Sequence, residues 1–211
     1  MRFLVIVSVL ALTGCGNPLS WEDYEPLRVG MKKVYTSKRS DGKNTVRYED
    51  TREVTREDKE SGFSYFLIKK TQTCLDGDCR LDKKAATLYF ISKVVDADVY
   101  TIGMPSGTIP GSLVAAYEGS RAGQEITRKK LAPGMEVGGV KITGRESTCT
   151  ALGTYDAFVG QSRSLPSAPK IWYANHIGEI RSSGGDMEIT LTSFSDAPWA
   201  PWGKCDTFTI K

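Results

Sequence analysis

The stretch FSYFLIKKTQTCLDGDCRLDKKAATLYFI, residues 63–91, decides the fold class. Aromatic and β-branched residues crowd its two ends, which is typical of β-strands. Between them, Asp-Gly at 76–77 favours a tight turn, so Cys74 and Cys79 are expected to face each other across a hairpin. The stretch therefore predicts two antiparallel strands joined by a short loop.

The same pattern continues on both sides of this hairpin. Short runs of β-branched and aromatic residues are separated by Gly, Pro or Asp-Gly. The further predicted strands are residues 33–37, 45–48, 99–102, 113–117, 140–143, 155–159, 170–174, 178–181 and 187–191. The Gly- and Pro-rich residues 103–111 are predicted to form a loop, and the sequence leaves open whether that loop separates two sheets.

Helical periodicity is weak throughout the chain. No stretch of twelve residues shows a helical stripe, and residues 82–86 are long enough for one turn at most. We therefore predict an all-β fold, an antiparallel meander that forms a barrel, half-barrel or sandwich with little helix.

Length and charge exclude some classes of function. The chain has 211 residues, with 28 basic and 25 acidic side chains and a net charge of +3. This near balance lacks the basic footprint of a nucleic-acid-binding protein, so we expect no nucleic-acid partner. A chain of this length buries roughly 70% of its unfolded surface and needs no metal to form a core.

The N-terminus has the layout of an export signal. Arg2 is followed by ten uncharged residues, FLVIVSVLAL at 3–12, and then by Thr13-Gly14-Cys15. A transmembrane helix needs about 20 apolar residues, so this run is short for one, and a buried core segment is the other alternative. Leu12-Thr13-Gly14-Cys15 resembles the bacterial lipobox, in which the cysteine receives a diacylglyceryl group and becomes the first residue of the mature chain.

The lipobox resemblance implies an anchor and a location. Cys15 is expected to carry acyl chains such as palmitate, and each buried methylene adds about 0.8 kcal/mol to membrane binding. Gly16 in place of Asp after the lipidated cysteine looks like outer-membrane sorting, facing the periplasm or the surface, if the source is Gram-negative. We expect a signal peptide at 1–14, a lipidated tether at 15–23 and a single β-rich domain at 24–211.

Four cysteines remain if Cys15 carries lipid. An even number in an exported chain suggests two disulfides. The hairpin spacing favours Cys74 with Cys79, which leaves Cys149 for Cys205. A zinc site is the alternative, but there is one close-spaced pair, and exported chains meet oxidising conditions.

Three short motifs also carry a resemblance: YEPLRVG at 24–30, GTYDAF at 153–158 and WYANHIGEI at 172–180. In this order they resemble motifs of uncharacterised β-rich bacterial envelope proteins, many of which are lipoproteins. Asn175-His176 departs from the Pro-Gly that is usual there, and Met31-Lys32 departs from the usual continuation of the first motif. The resemblance implies a β-rich envelope protein and brings no catalytic residues with it.

Catalytic and metal-binding motifs are weak. His176 is the only histidine, and its predicted turn favours a structural role. The sequence has no G-x-S-x-G elbow, phosphate loop or H-E-x-x-H motif. Asp76 and Asp78 supply too few ligands for an EF-hand calcium loop. A pair of carboxylates for glycoside hydrolysis stays an open alternative, because such a pair is defined by its distance in space and not by its spacing in the sequence. We therefore expect that the protein is not an enzyme and that it binds no metal and no cofactor.

Trp199 and Trp202 lie in the Pro-rich segment APWAPWG, residues 197–203. Exposed aromatic residues mark interaction sites, so the pair is a candidate binding patch, although both can instead be buried over the end of a barrel. We expect a membrane-anchored lipoprotein with a non-enzymatic binding or structural role toward an envelope protein, cell-wall or lipid partner. The alternative is a carrier that holds a lipid or other apolar ligand in a β half-barrel, which requires an open apolar cavity.

Overall fold

The computed structural model describes residues 23–40, 42–77, 79, 86–104, 107–120, 125–162, 169–195 and 205. Within these ranges the chain forms twelve strands and one short helix, which confirms the predicted all-β antiparallel fold. The elements are β1 (Lys32–Ser40), β2 (Thr45–Glu60), β3 (Phe63–Asp76), β4 (Ala86–Val95), β5 (Asp98–Gly103), α1 (Leu113–Glu118), β6 (Glu125–Arg128), β7 (Glu136–Val137), β8 (Val140–Thr150), β9 (Gly153–Ser162), β10 (Lys170–Ala174), β11 (Gly178–Gly184) and β12 (Met187–Phe194).

The strands form one sheet that is built from two meanders. Strands β1 to β6 lie side by side in chain order, as do β7 to β12, and the pairing of β1 with β12 joins the two sets. The edge strands β6 and β7 come close together, since a Cβ atom on Gly138 would lie 3.1 Å from the carbonyl oxygen of Ile126. The sheet is therefore a nearly closed barrel with a narrow seam, the gap between β6 and β7.

The helix α1 covers part of the outer face of the barrel. Leu113 and Tyr117, one helical turn apart, pack on buried side chains of β3, β4 and β5, namely Tyr65, Leu67, Ile91 and Ile102. Successive residues of a strand point to opposite faces. The neighbouring Ile68 and Phe90 accordingly line the interior of the barrel.

The helix corrects the prediction of a strand at residues 113–117. The Ser112 side chain caps the helix by accepting a hydrogen bond of 3.2 Å from the Ala115 amide. Alanine at 115 and 116 has high helix propensity, which a run of only five apolar residues hides from periodicity arguments. Gly103 is the last residue of β5, residues 107–111 lead into this helix, and the strands before and after the helix belong to the same sheet.

Both expected disulfides are present. Cys74 is bonded to Cys79 at the end of the β3–β4 hairpin, with Cα atoms 6.3 Å apart. Cys149 of β8 is bonded to Cys205, with Cα atoms 5.9 Å apart. The four sulfur atoms are thus not available as zinc ligands. In the part of the chain that the structure describes, no helix has the length and apolarity needed to cross a membrane.

Arg56 and Asp58 of β2 hold the start of α1. Arg56 donates two hydrogen bonds of 2.8 Å to the Asp58 carboxylate and further ones to the carbonyl oxygens of Pro110 and Gly111. The Leu113 amide donates to Asp58 Oδ2 at 2.9 Å. Burial alone would raise the pKa of Asp58, but the Leu113 amide and Arg56 together hold this pKa below its usual value.

We expect Asp58→Asn to lower the free energy of unfolding by roughly 1–2 kcal/mol at pH 7, because charge-assisted hydrogen bonds are lost. A carboxyl group with a lowered pKa in the folded state stabilises the protein above its unfolded pKa, and this contribution is lost as the pH falls through the folded pKa. Urea unfolding should therefore show a difference between wild type and variant that shrinks toward pH 3. Glu57→Gln, on the same strand and in a surface ion pair with the exposed Lys59, is the control and should change little. Equal losses in both variants would contradict the assignment.

Candidate functional site

The barrel encloses a cavity of about 340 Å³. This volume lies at the lower end of the range for small-molecule sites, about 300–1,000 Å³. Strands from both meanders and both edges of the seam contribute to its walls. The charged lining side chains are Glu25, Arg52, Lys70, Glu125 and Glu179, and the apolar ones are Ile68, Phe90, Ile126, Val137, Val140 and Ile171.

Three cations lie side by side across the inner face of β1, β2 and β3. Lys33 is directly opposite Arg52 in the register of β1 and β2, and Arg52 is directly opposite Lys70 in the register of β2 and β3. Directly opposed residues of antiparallel strands point to the same face. Arg52 and Lys70 line the cavity, so Lys33 shares their inward face. We call Lys33, Arg52 and Lys70 the cation row.

Glu179 is the counter-ion of Arg52. Arg52 Nη1 donates to Glu179 Oε2 at 3.2 Å, and the Arg52 guanidinium also lies 4.6 Å from the centre of the Tyr35 ring. The Tyr35 hydroxyl in turn donates to the backbone oxygen of Glu179 at 3.0 Å. The Arg52 and Glu179 side chains keep 35% and 20% of their surface accessible, which agrees with their position on the cavity wall.

Glu25 and Lys33 approach each other beside Gly178. A Cβ atom on Gly178 would lie 3.0 Å from Lys33 Nζ and 3.7 Å from Glu25 Oε2. Burial raises the pKa of Glu25, although Lys33 acts in the opposite direction. Burial likewise lowers the pKa of Lys33, against the effect of Glu25. We call Glu25, Lys33, Arg52 and Glu179 the charged floor, a group of neighbouring charges of which Glu25, Arg52 and Glu179 line the cavity.

The N-terminal segment, residues 23–31, brings Glu25 into this floor. The Tyr24 amide donates to the Lys129 carbonyl oxygen at 2.7 Å, and the Tyr24 ring packs edge-on against Phe158, with ring centres 5.2 Å apart. The Asp23 amide donates to Asn175 Oδ1, also at 2.7 Å. The three motifs at 24–30, 153–158 and 172–180 therefore meet at one end of the barrel.

His176 lies in the turn between β10 and β11, where the sequence predicted a turn. It has a positive φ of 61°, and its backbone amide donates to the Asp23 carbonyl oxygen at 2.7 Å. Its backbone thus helps to hold the N-terminal segment. Asp23, which the sequence assigned as the last residue of the tether, is thus hydrogen-bonded to the turn between β10 and β11.

The other predicted site residues are placed only in part. Cys15, Trp199 and Trp202 lie outside the described residues, as does Asp78. Asp76 Oδ1 accepts a hydrogen bond of 2.8 Å from the Gly77 amide. Among the residues that the structure describes, no group of three or more His, Cys, Asp or Glu side chains is arranged to hold a metal ion.

The sequence analysis missed the cation row and the charged floor. Lys33 and Tyr35 are two residues apart on β1, so strand alternation alone puts them on one face. That signal was available, but the alignment of Lys33 with Arg52 and Lys70 depends on the register of three strands. Glu25 and Glu179 come from distant parts of the chain, and no spacing rule joins them.

We expect Gly178→Ala to lower the free energy of unfolding by about 2–4 kcal/mol. The new Cβ would lie only 2.9 Å from the Tyr24 carbonyl oxygen at a φ of +89°, so backbone strain and a clash with the N-terminal segment add up. Gly134→Ala is the matched control, because Gly134 has the same φ of +89° with nothing within 4 Å of the new atom. It should cost only about 1 kcal/mol. Chemical unfolding measures both values, and hydrogen exchange at the Tyr24 amide should be faster in Gly178→Ala alone.

Comparison with known proteins gives a likeness in structure. No protein-family model matches the chain, and no curated protein matches it. Among solved structures, a Bacteroides fragilis protein that is described as exported and as having a YmcC-like fold aligns with a TM-score of 0.53 at 11% identity. The alignment covers 83% of this chain and all of that protein.

A second solved structure aligns less well. It is described as a lipoprotein from Parabacteroides distasonis and gives a TM-score of 0.39 at 12% identity, over 82% of this chain and 98% of that one. At these identities a likeness concerns the fold, and the first alignment is the one that is strong enough to show it. The chain therefore has the YmcC-like β fold of the Bacteroides fragilis protein.

Proposed function

We propose that this protein is an exported, membrane-anchored envelope lipoprotein that binds a small amphipathic molecule inside its barrel. The observation that carries this proposal is the 340 Å³ cavity, whose lining combines the charged floor with six apolar side chains. Ligand sites typically combine mostly apolar walls with a few polar groups that fix the orientation of the ligand.

Three features support an envelope location. Leu12-Thr13-Gly14-Cys15 resembles a lipobox. The two disulfides fit an oxidising compartment outside the cytoplasm. The Bacteroides fragilis protein with the same fold is described as exported. The lipid on Cys15 and the outer membrane as its destination are parts of this proposal.

The charged lining side chains favour an amphipathic ligand over a wholly apolar one. Five lining residues carry a charge, and Arg52 and Glu179 bind each other directly at the cavity wall. An apolar ligand that displaced water from these groups would leave their remaining hydrogen-bonding capacity unsatisfied, which is costly inside a protein. The carrier alternative that the sequence left open is thereby narrowed to ligands with a polar or charged end.

The charges of the floor also favour binding over catalysis, and we propose a non-enzymatic role. Glu179 accepts a hydrogen bond from Arg52, and Glu25 lies beside Lys33. Carboxylates compensated in this way form a buried ionic network, which needs such pairing for stability. His176 contributes a backbone hydrogen bond in a turn, as described above.

We expect Cys15→Ser to release the protein from the membrane, because acyl chains on Cys15 are the proposed anchor. Fractionation of cells that produce the variant should move the protein from the membrane pellet to the soluble fraction, while the wild type stays in the pellet after a salt wash. Cys79→Ser, which removes another cysteine without touching the anchor, is the control and should remain in the pellet. A Cys15→Ser protein that still pellets after the salt wash would contradict the proposed anchor.

We expect the neutral fluorescent probe N-phenyl-1-naphthylamine to bind the full chain carrying Cys15→Ser, with a rise in fluorescence as it leaves water. Ile171→Trp should weaken binding by about tenfold or more, since the larger side chain fills the cavity. Lys170→Trp is the matched control, because Lys170 is exposed and its side chain points away from the cavity. No binding, or equal binding by the two variants, would rule out a ligand site in the barrel.

A further inference from the structure

We infer that the cavity takes a small amphipathic carboxylate, whose carboxylate group binds between Arg52 and Lys70 and whose apolar part lies along Ile68, Phe90 and Ile171. This inference rests on the proposed function and names the chemical class of its ligand. It is argued from the cation row and from the carboxylates near it, which already lie beside cations of the protein.

The cation row leaves Arg52 and Lys70 in direct opposition on neighbouring strands. Like charges in this position destabilise a sheet. Both side chains keep about a third of their surface accessible, 35% for Arg52 and 30% for Lys70, and both line the cavity. An anion bound between them would offset their repulsion, and it would accept hydrogen bonds from their N–H groups.

The Lys70 ammonium group can donate hydrogen bonds to a ligand. Its Nζ lies 4.0 Å from Asp50 Oδ1, which is too far for a hydrogen bond. Asp50 Oδ1 is itself buried and has no hydrogen-bond partner among the described residues. The ammonium group has three N–H donors, so it can bind a ligand carboxylate while it still compensates the charge of Asp50.

The carboxylates of the cavity are less available to a cationic ligand. Glu179 is engaged by Arg52, and Glu25 lies beside Lys33, as described for the charged floor. Glu125 is an exposed residue of the edge strand β6. The positively charged groups of Arg52 and Lys70, which line the cavity, are therefore the ones that remain available to a ligand.

The remaining walls suit an alkyl or aryl group. Ile68 and Phe90 are directly opposite each other on β3 and β4, next to the cation row, and Ile171 faces the cavity from the other meander. A volume of about 340 Å³ holds a medium-chain acid but not a two-chain phospholipid. The ligand class is therefore a monocarboxylic acid with one short apolar chain or ring.

The test compares three probes with the same eight-carbon chain: octanoate, 1-octanol and octyltrimethylammonium. Each is titrated into the full chain carrying Cys15→Ser, with displacement of N-phenyl-1-naphthylamine as the readout and calorimetry as a second one. We expect octanoate to bind at least about tenfold more tightly than 1-octanol, a ratio that one charge-assisted contact can supply, and the cation to bind more weakly than either.

Variants locate the carboxylate. Lys70→Gln should remove about tenfold of the octanoate affinity, and the ratio of the octanoate affinity to the 1-octanol affinity should fall by the same factor. Lys69→Gln is the matched control, because the neighbouring side chain points to the opposite face of the strand, and it should behave as the wild type. Raising the salt concentration should weaken binding of octanoate and not of 1-octanol.

The outcomes separate this inference from the proposed function. Equal affinities for octanoate and 1-octanol, or tighter binding of the cation, would overturn the carboxylate assignment while the neutral probe still reports a ligand site. Failure of the neutral probe to bind would overturn both. The comparison of the three probes needs no substitution in the cavity, so the inference can be tested even if Lys70→Gln does not fold.

Discussion

Leaving a charged side chain unpaired inside a protein costs several kcal/mol, and the interior of this barrel contains three cations in a single row. Each cation has a carboxylate near it, and these carboxylates come from separate parts of the chain. Glu25 comes from the N-terminal segment, Asp50 from β2 and Glu179 from β11. The charges therefore require the N-terminal segment to dock and both halves of the sheet to come together.

The strand β1 has the central place in this arrangement. It pairs with β2 on one side and with β12 on the other, so it belongs to the barrel wall that joins the two meanders. Lys33 and Tyr35 project from it toward the floor, and Tyr35 is fully buried. Closing the barrel at β1 and β12 leaves the seam at β6 and β7, and both edges of that seam border the cavity. The same topology thus produces the floor and the weakest part of the wall.

The sequence predicts the local parts of this structure and misses the parts that depend on distant contacts. The hairpin at Cys74 and Cys79 and the turn at His176 follow from residue types at short spacing, and the structure contains both. The prediction of a strand at residues 113–117 was wrong. The structure has the helix Leu113–Glu118 there, and the sequence signals this helix only by one capping residue and two alanines. The charged floor was not predicted, since it depends on strand register and on the docking of Glu25, which no local pattern encodes.

The three motifs show the same limit in another way. Each was visible in the sequence as a motif that resembles those of β-rich envelope proteins. In the structure, Tyr24 packs on Phe158, and the backbone of His176 binds Asp23, so the motifs form a single contact region beneath the cavity. The sequence identified the three motifs separately. Their shared effect, which is to position Glu25 and Glu179 near the cations, follows from the fold.

The separation of β1 and β12 along the chain also affects how the polypeptide reaches this state. Lys33 pairs with Phe194, so one edge of the first meander has no partner until β12 is available. An unpaired strand edge is a template for aggregation, and lysine and arginine on such an edge protect against it. β1 contains Lys32, Lys33, Lys38 and Arg39 within nine residues. These four positive charges, of which Lys33 belongs to the cation row of the folded barrel, would thus keep the partly folded chain from associating with its neighbours.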